Sequence, residues 1–364
     1  SCDGALYDAG ELSCPSVPPH ESRDLSFDLK IPKKGRVFVR LIYELLKEDG
    51  ILSSGHILGF DEVLLLNEDG RDQEPEAAGK IRVAEEDARL ILRGDDFCYT
   101  YDKRTGMFSD IVFGGKKLLK RPMEVNIWRA PTDNDRNIKS EWMRAGYDRA
   151  VGRAYKTVCE AASDRIVINS RMSVSAAAVQ KILDIEITWT VRGDGQIDIR
   201  MDVQKNPEFP ELPRFGLRLF LEEEFNQAAY CGMGPGESYR DKCRGAYHGI
   251  FESGVEALHE DYIRPQENGS RFDCDYVTVF AKGYGVTAVS HKRFSFQASR
   301  YTQEELTRRK HNYELRPSGS TVWCLDYAQN GIGSNSCGPR LQEKYRFDEE
   351  RFRFSVRLIP YKQG

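Results

Sequence analysis

Ile182-Leu183-Asp184-Ile185-Glu186-Ile187-Thr188-Trp189-Thr190-Val191, a turn at Gly193-Asp194-Gly195, and Gln196-Ile197-Asp198-Ile199-Arg200-Met201-Asp202-Val203 decide the fold class. Both runs alternate between apolar and polar side chains and are rich in β-branched residues, as half-buried strands are. A short Gly-Asp-Gly connection between two such runs predicts a hairpin. The same signature extends outward in both directions. It returns at residues 166–174, 215–221, 277–280, 285–290, 323–327 and 352–358. Toward the amino terminus it recurs at 90–92, 97–101 and 109–113, with tight turns at Gly94-Asp95, Thr105-Gly106 and Gly114-Gly115. Two helices interrupt it, one around 140–147 and one around 302–310, where Thr302 is the expected N-cap and Glu305 its capping-box partner. So many short strands from residue 86 to 364 predict one large antiparallel β-sandwich rather than several domains.

Residues 1–85 read as a separate small β domain. Strands are expected at 5–7, 25–31, 37–46 and 60–66, with turns at Lys34-Gly35, Asp49-Gly50 and Asp69-Gly70. These are too few to close a sandwich, so its first strands are expected to be missing, leaving an open edge. The polar stretch 72–80, with Glu74-Pro75-Glu76-Ala77-Ala78-Gly79, suits a linker.

Composition narrows the function classes. At 364 residues two domains are the natural expectation. A net charge of -4 with both signs interspersed argues against a nucleic-acid-binding protein. No apolar run approaches the roughly 18 to 20 residues of a membrane helix. Ser1-Cys2-Asp3-Gly4 has no signal-peptide character, and the missing Met suggests a processed or excised chain. Nine cysteines, an odd number without Cys-x-x-Cys spacing, favour reduced, mostly buried thiols in a cytoplasmic protein over a disulfide framework, although Cys2 and Cys14 could pair. Six histidines, none spaced with cysteines as zinc ligands, give no metal site.

Three stretches could carry chemistry. In 126–136 an apolar strand end meets Pro131 and then Asp133-Asn134-Asp135-Arg136, whose side chains either accept sugar hydroxyls or cap their own backbone. The triplet could also ligate a hard cation, but it lacks EF-hand spacing. In 230–271 the glycines 232, 234 and 236 outline a phosphate loop, which Pro235 and the absence of a following helix argue against. Glu237, Tyr239, His259, Arg264, Glu267 and Asn268 form a polar set that either suits a polyhydroxylated ligand or locks the loop onto the core. In 330–339 small residues allow close backbone approach, and Cys337 has no His or Asp pattern that would make it a nucleophile. No catalytic pair of carboxylates is indicated.

Together these stretches resemble the C-terminal region of β-galactosidases of glycoside hydrolase family two. The resemblance rests on Arg129-Ala130-Pro131-Thr132-Asp133-Asn134-Asp135, Gly234-Pro235-Gly236-Glu237-Ser238-Tyr239 and Tyr262-Ile263-Arg264-Pro265-Gln266-Glu267-Asn268-Gly269 with Arg271. Phe294-Ser295-Phe296 with Ser299-Arg300-Tyr301-Thr302, and Gly331-Ile332-Gly333-Ser334, complete the set in the family's order. Gly55-His56 before a strand looks like the family's preceding domain.

The resemblance implies an all-β chain. An immunoglobulin-like β-sandwich, lacking its first strands, would occupy 1–85, and a large antiparallel super-sandwich of the galactose mutarotase type would occupy 86–364. It implies a parent that is a retaining β-galactosidase, whose two glutamates lie on a (β/α)₈ barrel absent from this chain, so the chain alone should be inactive. The magnesium and sodium sites of such a parent lie mainly on that barrel, leaving no cofactor here. The partners implied are the other domains of the same enzyme and β-galactosides, with a homo-oligomer left open. By position a loop at 334–338, with Asn335, Ser336 and Cys337, forms one wall of the pocket, and Cys337 stands where some members carry an aromatic platform. The segment Arg136 to Lys139 matches a mobile loop of the family beside the pocket, and Asp133, Asn134, Arg136, Glu267 and Asn268 complete the candidate substrate-binding set. The mutarotase His and Glu set has no counterpart here. A free-standing carbohydrate-binding module, or a complementing subunit of a split enzyme, are the alternative readings.

Overall fold

The computed structural model describes residues 1–13, 15–68 and 79–363. Its strands form sheets of two, five and twelve strands. The central hairpin forms as the alternation predicts. Leu183–Arg192 pairs antiparallel with Ile197–Lys205 from Leu183↔Lys205 to Val191↔Ile197. Ile185, Ile187, Trp189 and Val191 on one strand, and Ile197, Ile199, Met201 and Val203 on the other, are buried. The period-two pattern has become one inward face.

Around this hairpin the large sheet orders its strands as Tyr247–Gly254, Gln227–Gly234, Arg271–Ala281, Tyr284–Ser299, Arg351–Lys362, Ile197–Lys205, Leu183–Arg192, Arg165–Ser175 and Val151–Ala161. The strand Tyr284–Ser299 changes partners along its length. Residues 284–289 pair with Arg351–Lys362, and 295–299 pair with Ser320–Gln329. Register shifts opposite it, between Arg271 and Tyr276, accompany the change. Through Ser320–Gln329 the sheet continues to Arg214–Glu222 and Leu119–Asn126. Arg214–Glu222 is buried along almost its whole length, so its polar residues must find partners inside the protein.

The five-stranded sheet, Arg82–Glu85 to Lys116–Lys117, packs on the central hairpin through aromatic rings. Phe108 meets Trp189 edge-on at 5.1 Å and 90°. The Trp189 indole N–H donates to Gly106 O at 3.2 Å, and the Tyr99 hydroxyl donates to Gly195 O at 2.7 Å. Each buried ring thus hides its apolar body while its polar tip is satisfied.

Both expected helices are present, as α1 (Lys139–Ala145) and α2 (Gln303–Arg308). Thr302 caps α2, its Oγ1 accepting from the Glu305 N–H at 3.1 Å. The reciprocal half of the capping box is replaced. The Glu305 carboxylate instead accepts from Arg309 Nε at 2.7 Å and from the Arg316 N–H at 3.0 Å.

The chain divides into two compact units, Ser1–Gln73 with His248–Ile250, and Glu74–Tyr247 with Phe251–Gly364. Of the sandwich expected in the first unit, the described residues supply one antiparallel pair, Gly35–Glu44 with Ile57–Glu68. Its start is anchored by the Ser1 ammonium, which donates to Phe38 O at 2.8 Å, and by Asp3, which accepts the Arg36 N–H at 2.8 Å. Residues 25–31 form no strand, contrary to their alternation, and Leu25, Phe27, Leu29 and Ile31 are exposed. A strand needs a hydrogen-bonding neighbour as well as a pattern, and the described residues provide none there. At 5–7 only an isolated Cys2↔Ala5 bridge is made. The turn at Asp69-Gly70 and most of the stretch 72–80 lie outside the described residues.

Arg82–Glu85, Lys116–Lys117, most of Leu119–Asn126 and three longer strands lacked a readable pattern. Val151–Ala161 is an edge strand whose inner face is only half-buried and whose burial changes phase at the bulge opposite Arg171 and Met172, so its sequence shows no clean apolar alternation. Gln227–Gly234 and Tyr247–Gly254 are interrupted by glycines. Cys231, Cys274 and Cys324 are buried thiols outside any disulfide and Cys337 is exposed, while Cys14, and with it a Cys2–Cys14 pair, lies outside the described residues. Among the described residues no helix is long and apolar enough to cross a membrane.

Candidate functional site

The strand Leu119–Asn126 ends at a turn in which Asn126 Oδ1 accepts the Trp128 N–H at 3.1 Å. Beyond it Arg129 points inward and is fully buried. Its guanidinium grips Asp135 with Nε–Oδ2 at 3.2 Å and Nη2–Oδ1 at 2.6 Å. It also donates to the carbonyls of Asn330 and of Gly331, the latter at 3.1 Å. Asp135 accepts the Thr132 N–H at 2.9 Å and hydroxyl at 3.1 Å as well. A forked, charge-assisted pair therefore folds the Asp133–Arg136 turn and ties it to the start of the 330–339 loop.

The turn after Gln227–Gly234 is built with equal economy of space. A Cβ on Gly234 would lie 2.4 Å from the Tyr230 hydroxyl oxygen, so only glycine fits before Pro235. Glu237 follows, and its carboxylate accepts from Lys242 Nζ, from the Tyr262 hydroxyl and, at 2.9 Å, from the Gly269 N–H. Burial alone would raise its pKa, but these donors hold the group below the usual glutamate range. Asp241 then reaches the third stretch. Its Oδ1 accepts the Ile332 N–H at 3.0 Å and its Oδ2 the Gly333 N–H at 2.7 Å. A Cβ on Gly331 would come within 2.5 Å of Asp241 Oδ2, which explains the glycine there.

Beneath these turns lies a fully buried ionic lattice. Arg214 donates through Nε to Asp326 Oδ1 at 3.0 Å and through Nη2 to Asp326 Oδ2, and through Nη1 to Glu267 at 3.2 and 3.3 Å. Gln297 Oε1 accepts from Arg214 at 3.2 Å and from Gln303 at 2.9 Å, and Gln329 Nε2 donates to Asp326 at 3.3 Å. One guanidinium thus faces two carboxylates. Burial pushes Glu267 up to about 7 against the pull of Arg214 and Arg129, and burial also raises Asp326. The two carboxylates together keep Arg214 protonated despite its burial.

The structure brings all three sequence stretches to one face of the second unit. The Glu267 N–H donates to Ala130 O at 2.9 Å, the Asp133 N–H to Gln266 Oε1 at 3.2 Å, and Asn134 Nδ2 to Ile332 O at 2.6 Å. The individual residues differ sharply in availability. Glu267 and Asn268 are 1 % and 3 % exposed, and Asn268 is engaged by the Glu260 N–H and by Gln266 O. Asp133 is largely exposed, in a loose 3.4 Å pair with Arg264. Arg136 is exposed at the end of its turn. Asn335 adopts φ +90 and its carbonyl accepts from Asn137 Nδ2 at 3.4 Å. Ser336 is half-buried and Cys337 exposed. The Asp133-Asn134-Asp135 triplet presents no common ligand set, because Asp135 serves Arg129 and Thr132 while Asn134 donates to a carbonyl. Sequence reasoning missed Arg214, Asp241 and Asp326. Asp326 left a signal, a lone charge within the apolar run Val322-Trp323-Cys324-Leu325, and charges are buried only when paired. Arg214 and Asp241 left none.

The chain is 37% identical over 359 residues to the beta-galactosidase of Actinobacillus pleuropneumoniae, covering 98% of this chain and 35% of the relative. It is 31% identical over 352 residues to that of Staphylococcus xylosus, covering 96% of this chain and again 35% of the relative. The chain therefore spans about a third of the length of these relatives. Among solved structures, a galactose 1-epimerase from Lactobacillus acidophilus NCFM overlays 79% of this chain and 100% of its own at 7% identity, with a TM-score of 0.43. The model of the beta galactosidase small chain family matches residues 93–358, and this chain belongs to that family.

Proposed function

We propose that this chain is the C-terminal part of a β-galactosidase acting on terminal β-D-galactosides, and that it supplies one wall of the active site rather than the reacting groups. The observation that carries the reading is the convergence of 129–136, 264–268 and 330–335 on one face, held by Arg129, Asp135 and Asp241. In this reading Asp133, Asn134, Arg136, Asn335, Ser336 and Cys337 form the part that meets sugar. Their partly or fully exposed side chains offer hydroxyl, amide and carboxylate groups suited to a polyol. Glu267 and Asn268 act from below, fixing the backbone that presents the others. The nucleophile and the acid of a retaining mechanism belong to the remainder of the enzyme, as does any metal beside them. The partners are accordingly the other domains of the same enzyme, and a cytoplasmic setting suits its buried thiols outside any disulfide.

The reading is tested by assaying the purified chain against a chromogenic β-galactoside. No turnover is expected, and hydrolysis by the chain alone would sink the proposal. Titration with galactose separates a supporting wall, which gives no saturable heat, from an independent binding module, which does.

A further inference from the structure

Six basic side chains from three separate segments line one cavity of about 460 Å³ in the second unit. They are Lys139 at the start of α1, Arg264, and the consecutive Arg308, Arg309, Lys310 and His311 at and beyond the end of α2. No carboxylate lines the cavity, although the chain as a whole carries a net charge of -4. Three of the six have acidic partners. Arg264 lies 3.4 Å from Asp133, Arg309 2.7 Å from Glu305, and His311 3.5 Å from Glu314. Lys139, Arg308 and Lys310 make no ion pair among the described residues.

Cations at the end of a helix complement its dipole, which accounts for Arg308 and Arg309 but not for Lys139 and Arg264, brought in from elsewhere. Like charges gathered in a concave wall repel one another, and such a wall concentrates the field they make. A bound anion relieves the repulsion. The planar fork of Arg308 and the point charge of Lys310 are the usual pair of donors for a phosphate group. The cavity is larger than a single phosphate needs. Arg264 is the residue it shares with the candidate sugar-facing turn, and its solvent-exposed pair with Asp133 is readily exchanged for another anion.

We propose that this basic cavity binds a phosphate group, either free or carried on a small polar molecule such as a phosphorylated sugar. The proposal does not rest on the galactosidase reading, since apart from Arg264 it concerns different side chains and is read by binding rather than turnover.

The test uses the full chain, titrated by calorimetry with inorganic phosphate and, separately, with a hexose 6-phosphate. Thermal unfolding is followed in phosphate and in chloride at matched ionic strength, so that general screening cancels. Saturable one-site binding is expected, with an unfolding midpoint that rises in phosphate beyond its value in chloride. The triple variant K139A/R308A/K310A should bind about tenfold more weakly or worse. K310R, which keeps the charge, should retain binding. R240A/K292A, which removes two of the three cations of a separate cavity, should behave as the parent. Tighter binding of the hexose phosphate assigns the cavity to a phosphorylated sugar, and equal binding assigns it to phosphate alone. Absence of saturable binding by the parent chain, or undiminished binding by the triple variant, overturns the proposal.

Discussion

The strand Ser320–Gln329 carries Asp326 into the ionic lattice and then runs directly into the loop that carries Asn335, Ser336 and Cys337. Within a dozen residues the chain passes from a carboxylate with 0 % exposure to an exposed thiol. The lattice uses charge where water is excluded, so every group must be matched, whereas the loop keeps small polar groups where water can match them. The resemblance to β-galactosidases spans both kinds of region. Two of its most distinctive pieces, Arg129 to Asp135 and Arg264 to Gly269, are largely occupied by bonds within the chain. A residue can therefore mark the family through what it supports, without touching a ligand.

The contrast is most directly broken at Arg214. Replacing it by Met leaves Asp326 buried without its counter-charge and Glu267 with Arg129 as its remaining cationic neighbour, and the expected loss is about 3–5 kcal/mol in urea unfolding. A loss below about 1 kcal/mol would mean that the lattice does not hold this face together.

The next largest effect is in pH. Glu267 is raised from its ordinary 4.5 to about 7, so between those values the folded chain keeps a proton that the unfolded chain releases. The contribution is therefore fully present below about 4.5 and is lost as pH rises through about 7, a change of at most on the order of 3 kcal/mol. Glu267→Gln should flatten the stability profile in that window. Glu237, whose pKa is lowered, works in the opposite sense, contributing above the ordinary glutamate range and losing that contribution as pH falls below it. Glu237→Gln should therefore leave the window near neutrality unchanged. A profile that kept its slope in Glu267→Gln would assign the proton elsewhere.

Asp241 lies between the two regimes. Asp241→Ala strands the N–H groups of Ile332 and Gly333 and should cost about 1–2 kcal/mol. Hydrogen exchange at those two amides should speed up while the Asp326 neighbourhood stays protected. Smallest of all, Cys337→Ser should change stability by no more than about 0.5 kcal/mol. In the complete enzyme, however, it should shift the galactoside KM if the loop is a pocket wall. An unchanged KM in Cys337→Ser, Asn335→Ala and Asp133→Ala alike would remove the loop from the site.

Much of the strand pattern was legible because a half-buried strand writes its inward face as a period of two. The central hairpin, the turns at Gly106 and Gly195 and the N-cap at Thr302 all follow from local chemistry. Where locality fails, so did the reading. Residues 25–31 alternate without a neighbour to bond, and Val151–Ala161 bonds a neighbour without alternating. Glu305 had a local partner available at its own helix start and took Arg309 and the Arg316 N–H instead. At the candidate site the sequence pointed to the correct stretches but not to their division of labour. Asp133 and Asp135 are two positions apart, yet one is open to solvent and the other is held by Arg129.

The sequence by itself determined an all-β chain with two short helices, the placing of its main turns, and its kinship with β-galactosidases. The strands, helices and turns depend on neighbours along the chain, through dihedral preference, alternation and capping, whereas the kinship rests on matching motifs. Only the tertiary structure decided which charges are matched. Arg214 meets Asp326 across 112 positions, and Arg129 reaches the Asn330 carbonyl across 201. No local rule relates such residues, because their pairing depends on Arg214–Glu222 lying between Ser320–Gln329 and Leu119–Asn126 in the sheet. Once water is excluded from that interior, an unmatched charge is too costly to keep, and the order of the strands selects the partners.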